Sequence, residues 1–155
     1  MKHKWKPLLI SLAIPLAAGG AGALLSGGMQ EYPALQRPPL SPPGWVFPIV
    51  WTLLYLAMGY AAYRVQTADV SPDTVRRAMV FYFIQLGLNF LWSILFFRFD
   101  AYLLAFVELL LLWTSICVTM WKFYRIDERS GDLLLPYLLW VTFAAYLNLG
   151  VFLLN

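Results

Sequence analysis

The run LLLPYLLWVTFAAYLNLGVFLLN, residues 133–155, contains no charged side chain and decides the fold. A helix rises ~1.5 Å per residue, so about 20 residues cross the ~30 Å hydrocarbon core of a bilayer. Outward from this run the same pattern repeats. Charges are absent from Pro7 to Gln30, from Pro38 to Tyr63 and from Ala78 to Phe97. The stretch Ala101 to Trp121 contains only Glu108. Strands would leave open edges in lipid, and too few hairpin signals exist to close a barrel. A soluble helical core is the poorer alternative. With 61% hydrophobic and 12% charged residues, little polar material remains to coat a soluble surface. The sequence therefore predicts an all-α membrane protein, a bundle of five transmembrane helices.

One domain, residues 1–155, accounts for the whole length, and five helices leave no room for a soluble catalytic domain. Helix one is expected over about 7–28, helix two over 44–66, helix three over 73–98, helix four over 101–125 and helix five over 131–154. Lys2, Lys4 and Lys6 precede helix one; Arg64, Arg76 and Arg77 lie between helices two and three; Lys122, Arg125 and Arg129 lie between helices four and five. Only Arg37 and Arg98 fall on the other side. The positive-inside rule then places the N-terminus in the cytoplasm and the C-terminus outside a cell membrane. These basic residues are spread over short loops mixed with acids, which argues against nucleic acid as a partner. The lone Cys117 sits within helix four as an apolar filler, and His3 is the only histidine. A histidine-based metal site or catalytic triad is thereby nearly excluded.

The lysines at the N-terminus, the apolar run after them and Ala21-Gly22-Ala23 also fit a secretory signal. We read the segment as helix one. Its small residues fall in rows four apart: Ala13, Ala17 and Ala21; Ala18, Gly22 and Ser26; Gly19, Ala23 and Gly27. Such rows let helix backbones approach closely in lipid, within one bundle or at a dimer seam. Pro15 is a candidate kink. Residues 29–43 form a long proline-rich loop in which a regular helix is not expected, and a loop this long in so short a chain is usually functional. Ser71-Pro72-Asp73 reads as a helix cap with Pro at the first helical position, and Arg98-Phe99-Asp100 as a tight turn.

Polar groups at membrane depth are costly, so they are informative. Gln85 and Asn89 share a face of helix three, continued by Trp92 and Ser93. Helix five carries Trp140, Ala144 and Asn148 at four-residue steps, and helix two carries Trp51 and Tyr55. Interhelical hydrogen bonding is the plain reading of Gln85, Asn89 and Asn148. Glu108 is expected to be protonated, to lie near an interface and Arg98, or to line a cavity. Aromatics make up 17% of the chain. Trp5, Trp45, Trp121 and Tyr124 suit interfacial belts. Trp51 and Trp140 lie deeper, and with Tyr55 and the small Ala144 they would wall a flat aromatic cavity suited to a large planar ligand.

Several motifs match a known pattern in order. They are Tyr32-Pro-Ala-Leu-Gln-Arg-Pro-Pro-Leu-Ser-Pro-Pro-Gly-Trp-Val, Val50-Trp51-Thr-Leu-Leu-Tyr55, Met58-Gly-Tyr60, Gln85-Leu-Gly-Leu-Asn89-Phe-Leu-Trp92, and Pro136-Tyr137-Leu-Leu-Trp140-Val-Thr-Phe143-Ala144 through Leu147-Asn148. Together they resemble the translocator protein family (TspO/MBR, tryptophan-rich sensory proteins), in its bacterial form. The resemblance covers about Tyr32 to Asn148. It implies a five-helix bundle, usually a homodimer, with a pocket under the first loop. That pocket would bind porphyrins such as protoporphyrin IX, and isoquinoline-carboxamide or benzodiazepine-like ligands. The matching ligand-binding positions are Tyr32, Pro42, Trp51, Tyr55, Asn89, Trp140 and Ala144. The resemblance further implies light-dependent porphyrin degradation, with Trp51 and Trp140 as the catalytic candidates. No cofactor is required; porphyrin enters as ligand. Two positions depart from the family: Leu40 stands where Trp is often found, and nothing basic follows Tyr146, which leaves the animal sterol motif incomplete. A transporter whose path is lined by Glu108, Gln85 and Asn89 is the alternative reading. A structural partner of another membrane protein, contacting it through helix one, is a third. The chain lacks the inverted repeats of alternating-access transporters.

Overall fold

A computed structural model of the chain describes residues 5–27 and 34–155. Helix α1 spans Trp5–Leu25, α2 Val46–Gln66, α3 Pro72–Ser93, α4 Tyr102–Ile126, α5 Glu128–Leu133 and α6 Leu135–Leu154. Among the described residues, five helical segments, with α5 and α6 together as the fifth, are long and apolar enough to cross a membrane. No strand occurs among the described residues. The expected loop character of residues 29–43 holds over its described part, since residues 34–45 contain no α-helix.

Local chemistry explains the boundaries. Ser71 caps α3: its hydroxyl accepts from the Thr74 backbone N–H at 3.3 Å, and Pro72 takes a position whose N–H would have had no partner. At its other end α3 widens into a π-helical turn, Ile94–Arg98, and the Phe99 N–H reaches back to the Ile94 carbonyl. Asp100 then turns the chain in the left-handed region, with φ of 50°. The fifth span differs from expectation. It begins at Glu128 and breaks at Leu134, because Pro136 sits in the first turn of α6 and cannot donate to a helix continuing from α5. Helix α1 continues through Pro15, which is buried.

Small residues bring the helices close. The backbone of α1 packs against Gly59 of α2, where an added Cβ would lie 2.5 Å from the Ser11 carbonyl oxygen. On the other side, Gly19 lies under the ring of Tyr55. At least part of the small-residue pattern of α1 thus serves packing within one bundle. The core is filled by Met58, Ala61, Val65, Tyr82, Leu109, Leu112, Ile116, Phe123, Tyr137 and Val141. Leu9, Leu53, Phe83, Leu111 and Leu153 point outward, as side chains facing lipid do. Trp5, Trp45, Trp121 and Tyr124 are exposed near helix ends, in keeping with interfacial belts.

The end of the bundle that carries residues 34–45 is termed the loop end. There the segment is fastened to α6. The Gln36 N–H donates to Asn155 Oδ1 at 3.2 Å, and Asn155 Nδ2 donates to the Gln36 carbonyl at 2.8 Å. The Tyr146 hydroxyl donates to the Pro39 carbonyl at 2.7 Å. Pro38 is buried at Gly150, where a Cβ would come within 2.4 Å of its ring. At the opposite end Arg64 and Asp127 pair with nitrogen–oxygen distances of 2.6 and 3.2 Å. This bond ties the end of α2 to the α4–α5 junction.

Candidate functional site

A cavity of about 590 Å³ opens between α1, α2 and α3, beneath the loop end. Much of its wall is aromatic: Phe47, Trp51, Tyr55, Phe90, Trp92 and Phe97. Gly19, Gly22 and Ala23 form the α1 side. The absence of side chains there opens the space; a Cβ on Gly22 would fall 3.0 Å from Ser93 Oγ and 3.4 Å from the Phe90 ring. Gly44 and Trp45 complete the wall from the loop side. The volume lies within the roughly 300–1,000 Å³ typical of small-molecule sites.

Trp51 and Tyr55, one helical turn apart, stack with ring centroids 5.5 Å apart and planes at 26°. The Tyr55 hydroxyl donates to Asn89 Oδ1 at 3.2 Å. Asn89 Nδ2 donates to the Tyr137 hydroxyl at 2.8 Å, which in turn donates to Gln85 Oε1 at 2.7 Å. A chain of hydrogen bonds thus runs from the cavity wall into the core through three helices. It fixes the face of Tyr55 and satisfies Asn89 at membrane depth, where an unmet polar group is costly. Asn148 has a packing role: it accepts from Trp92 Nε1 at 2.9 Å and donates to the Tyr102 carbonyl at 2.8 Å.

The positions singled out from the sequence divide as follows. Trp51, Tyr55 and Asn89 border the cavity. Trp140 does not; it stands behind Trp51, edge-on, with ring centroids 6.4 Å apart and planes at 88°. It also meets Phe47 at 5.7 Å. Ala144 is buried and borders a second, smaller void of about 20 Å³ between the loop, α3 and α6. Pro42 is half-buried in the loop and borders neither space. Tyr32 lies outside the described residues. Leu40, at the departure from the family pattern, has 83% of its surface exposed. Glu108 is only 6% exposed, and neither carboxylate oxygen has a hydrogen-bond partner among the described residues. Among the described residues it forms no ion pair with Arg98, and it borders neither of these two spaces.

Sequence reasoning missed Phe47, Phe90 and Phe97 as wall residues, and Tyr137 as the centre of the polar chain. A signal was present for two of them. Phe90 and Phe97 are seven apart in the third apolar stretch, a spacing that puts both on one face of a helix, with Ser93 between them. The small residues of α1 were visible, but their service to a cavity was not.

The architecture is that of a multi-pass helical membrane protein with an aromatic pocket at one end of the bundle. The TspO/MBR family model matches residues 11–154, and the chain belongs to that family. It is 38% identical over 150 residues to the tryptophan-rich protein TspO of Chlorobaculum tepidum, covering 96% of this chain and 95% of that protein. It is 37% identical over 155 residues to the tryptophan-rich sensory protein of Cereibacter sphaeroides, covering 100% of this chain and 95% of that one. The translocator protein of Ovis aries is 34% identical over 152 residues, covering 96% and 89% of the two chains.

Proposed function

We propose that this protein is a membrane receptor or sensor that binds porphyrin, such as protoporphyrin IX, in the cavity between α1, α2 and α3. The observation that carries the reading is the wall itself. Seven aromatic residues, Trp45 among them, border about 590 Å³ and offer flat, polarisable faces to a large planar ligand, and the porphyrin class is what the resemblance to the TspO/MBR family implies. The same surfaces would accept benzodiazepine-receptor-type ligands. The Tyr55–Asn89–Tyr137 chain holds one face in place before a ligand arrives, which lowers the ordering cost of binding.

A light-dependent breakdown of the bound ring extends this reading. Trp51 borders the cavity and is the electron donor to the excited porphyrin. Dioxygen then adds to a bridge carbon of the reduced ring. The adduct returns one electron to the oxidised indole as the O–O bond and a carbon–carbon double bond of the ring break, leaving one oxygen on each of the two carbons. Trp140, edge-on to Trp51, shares the electron vacancy until that return. Transport of a porphyrin or another small hydrophobic molecule is the alternative. It gains less support, because Gln85 and Asn89 are engaged with Tyr137 and Glu108 borders neither cavity.

The homodimer and the cytoplasmic N-terminus belong to the same proposal. Spectral titration of the purified protein with protoporphyrin IX in the dark, beside flux measured in proteoliposomes, tests it. Saturable binding without flux supports the receptor reading. Flux supports the transporter, and absence of binding contradicts the receptor.

A further inference from the structure

The 590 Å³ cavity and the smaller void share three wall residues, Phe47, Trp92 and Phe97. Among the described residues, no charged side chain borders the larger space. Four hydroxyl groups do, and each already donates within the protein: Ser26 to the Ala23 carbonyl, Thr52 to the Pro48 carbonyl, Tyr55 to Asn89, and Ser93 to the Phe90 carbonyl. The body of the site therefore suits apolar atoms and would leave an acidic group without hydroxyl donors, at high cost.

The loop end differs. Arg37 borders the smaller void, beside Ser41. It follows Gln36, which Asn155 holds from both its N–H and its carbonyl, so its backbone is anchored to α6. Arg98 stands at the α1 side of the same end. It follows Phe97 of the cavity wall, and its Nη1 donates at 2.8 Å to the Leu25 carbonyl, next to Ser26 of the cavity wall. A guanidinium presents five N–H donors in a fork that matches a carboxylate, so one bond to a helix end does not exhaust it. Asp100, the acid of this turn, receives the Tyr102 hydroxyl at 3.4 Å.

Resting on the reading of the cavity as the ligand site, we infer that its ligand carries acidic groups along one edge, and that Arg37 and Arg98 hold that edge at the loop end. The apolar body lies inward against Trp51 and Tyr55. The acidic edge lies outward, where charge-assisted hydrogen bonds from two arginines replace its water. The loop then has a recognition role in addition to covering the site.

The test compares protoporphyrin IX, a dicarboxylic acid, with its neutral dimethyl ester, both titrated in the dark. The wild-type protein is expected to prefer the acid by about tenfold or more, on the scale of charge-assisted pairs. Arg37→Gln and Arg98→Gln should each reduce that preference, and the double variant should abolish it, while ester affinity stays close to wild type. Arg98→Lys keeps a cation and a donor for the α1 carbonyl, and should retain part of the preference even if Arg98→Gln folds poorly. Equal affinity for acid and ester in the wild type overturns the inference, as does an undiminished preference in the double variant. If neither compound binds the wild type, the reading of the cavity fails first and the inference falls with it.

Discussion

Trp140 meets Trp51 edge-on, at 88° and 6.4 Å between ring centroids, yet only Trp51 borders the cavity. The two indoles therefore stand in series. Replacing each with Phe should give unequal results. Trp51→Phe keeps a stacking face but removes the readily oxidised ring next to the ligand, so light-driven bleaching should fall sharply while dark binding weakens only a few-fold. Trp140→Phe should leave dark binding close to wild type and slow bleaching less. Bleaching followed under illumination, with dark affinity measured in parallel, checks the order. Equal rates for both variants and the wild type would remove the enzymatic extension and leave binding.

Tyr137 accepts from Asn89 and donates to Gln85, so its hydroxyl serves two buried partners at once. Tyr137→Phe strands both in the core. We expect a loss of about 1–3 kcal/mol in stability. Thermal unfolding in detergent should show it as a lowered midpoint. A midpoint equal to wild type would mean that the chain contributes nothing to stability.

Asp127 shows a sign that can be worked out. Hydrogen bonds from the Arg64 guanidinium hold its carboxyl below the usual carboxylate range, helped by the Ser130 hydroxyl. A folded-state value below the unfolded one adds stability that is present above the unfolded value, about 3.9, and is lost as pH falls through the folded value. Asp127→Asn should lower stability at neutral pH and flatten the loss below about pH 4. Unfolding followed between neutral and acid pH tests this. A variant with the wild-type slope would remove Asp127 from the account.

Topology is tested by labelling. The described basic residues Lys6, Arg64, Arg76, Arg77, Lys122, Arg125 and Arg129 lie toward the Arg64–Asp127 end, whereas Arg37 and Arg98 lie at the loop end. Single cysteines placed near Ala34 should react with an impermeant reagent in intact cells, and cysteines near Ser71 should be protected. The reverse pattern would invert the proposed orientation.

The five spans were legible because lipid imposes one rule on all of them: a long apolar run closes its own backbone bonds. The Ser71-Pro72 cap was legible because capping is local. The break at Leu134 was less so, since Pro136 is compatible with the first turn of a helix as well as with a kink. The site was legible only in part. Trp51, Tyr55 and Asn89 announce themselves as polar and aromatic groups on inward faces. Which helices enclose the empty space depends on Gly19 and Gly22 facing Tyr55, Ser93 and Phe90, a relationship between distant residues that no periodicity encodes. For the same reason Trp140 and Ala144, both on α6, border other surroundings than the cavity. Glu108, the lone acid of α4, has no hydrogen-bond partner for its carboxylate among the described residues and borders neither space.

The central claim is that the α1–α2–α3 cavity holds the ligand, and Ala23 tests it most directly. Ala23 borders the cavity from an exposed position on α1, so a large side chain there obstructs the space without overfilling the core. Protoporphyrin IX titrated in the dark against Ala23→Trp should show affinity reduced by about tenfold or more, equivalent to about 1.4 kcal/mol, at an unchanged unfolding midpoint. Wild-type affinity in a folded Ala23→Trp protein would place the ligand elsewhere and contradict the account.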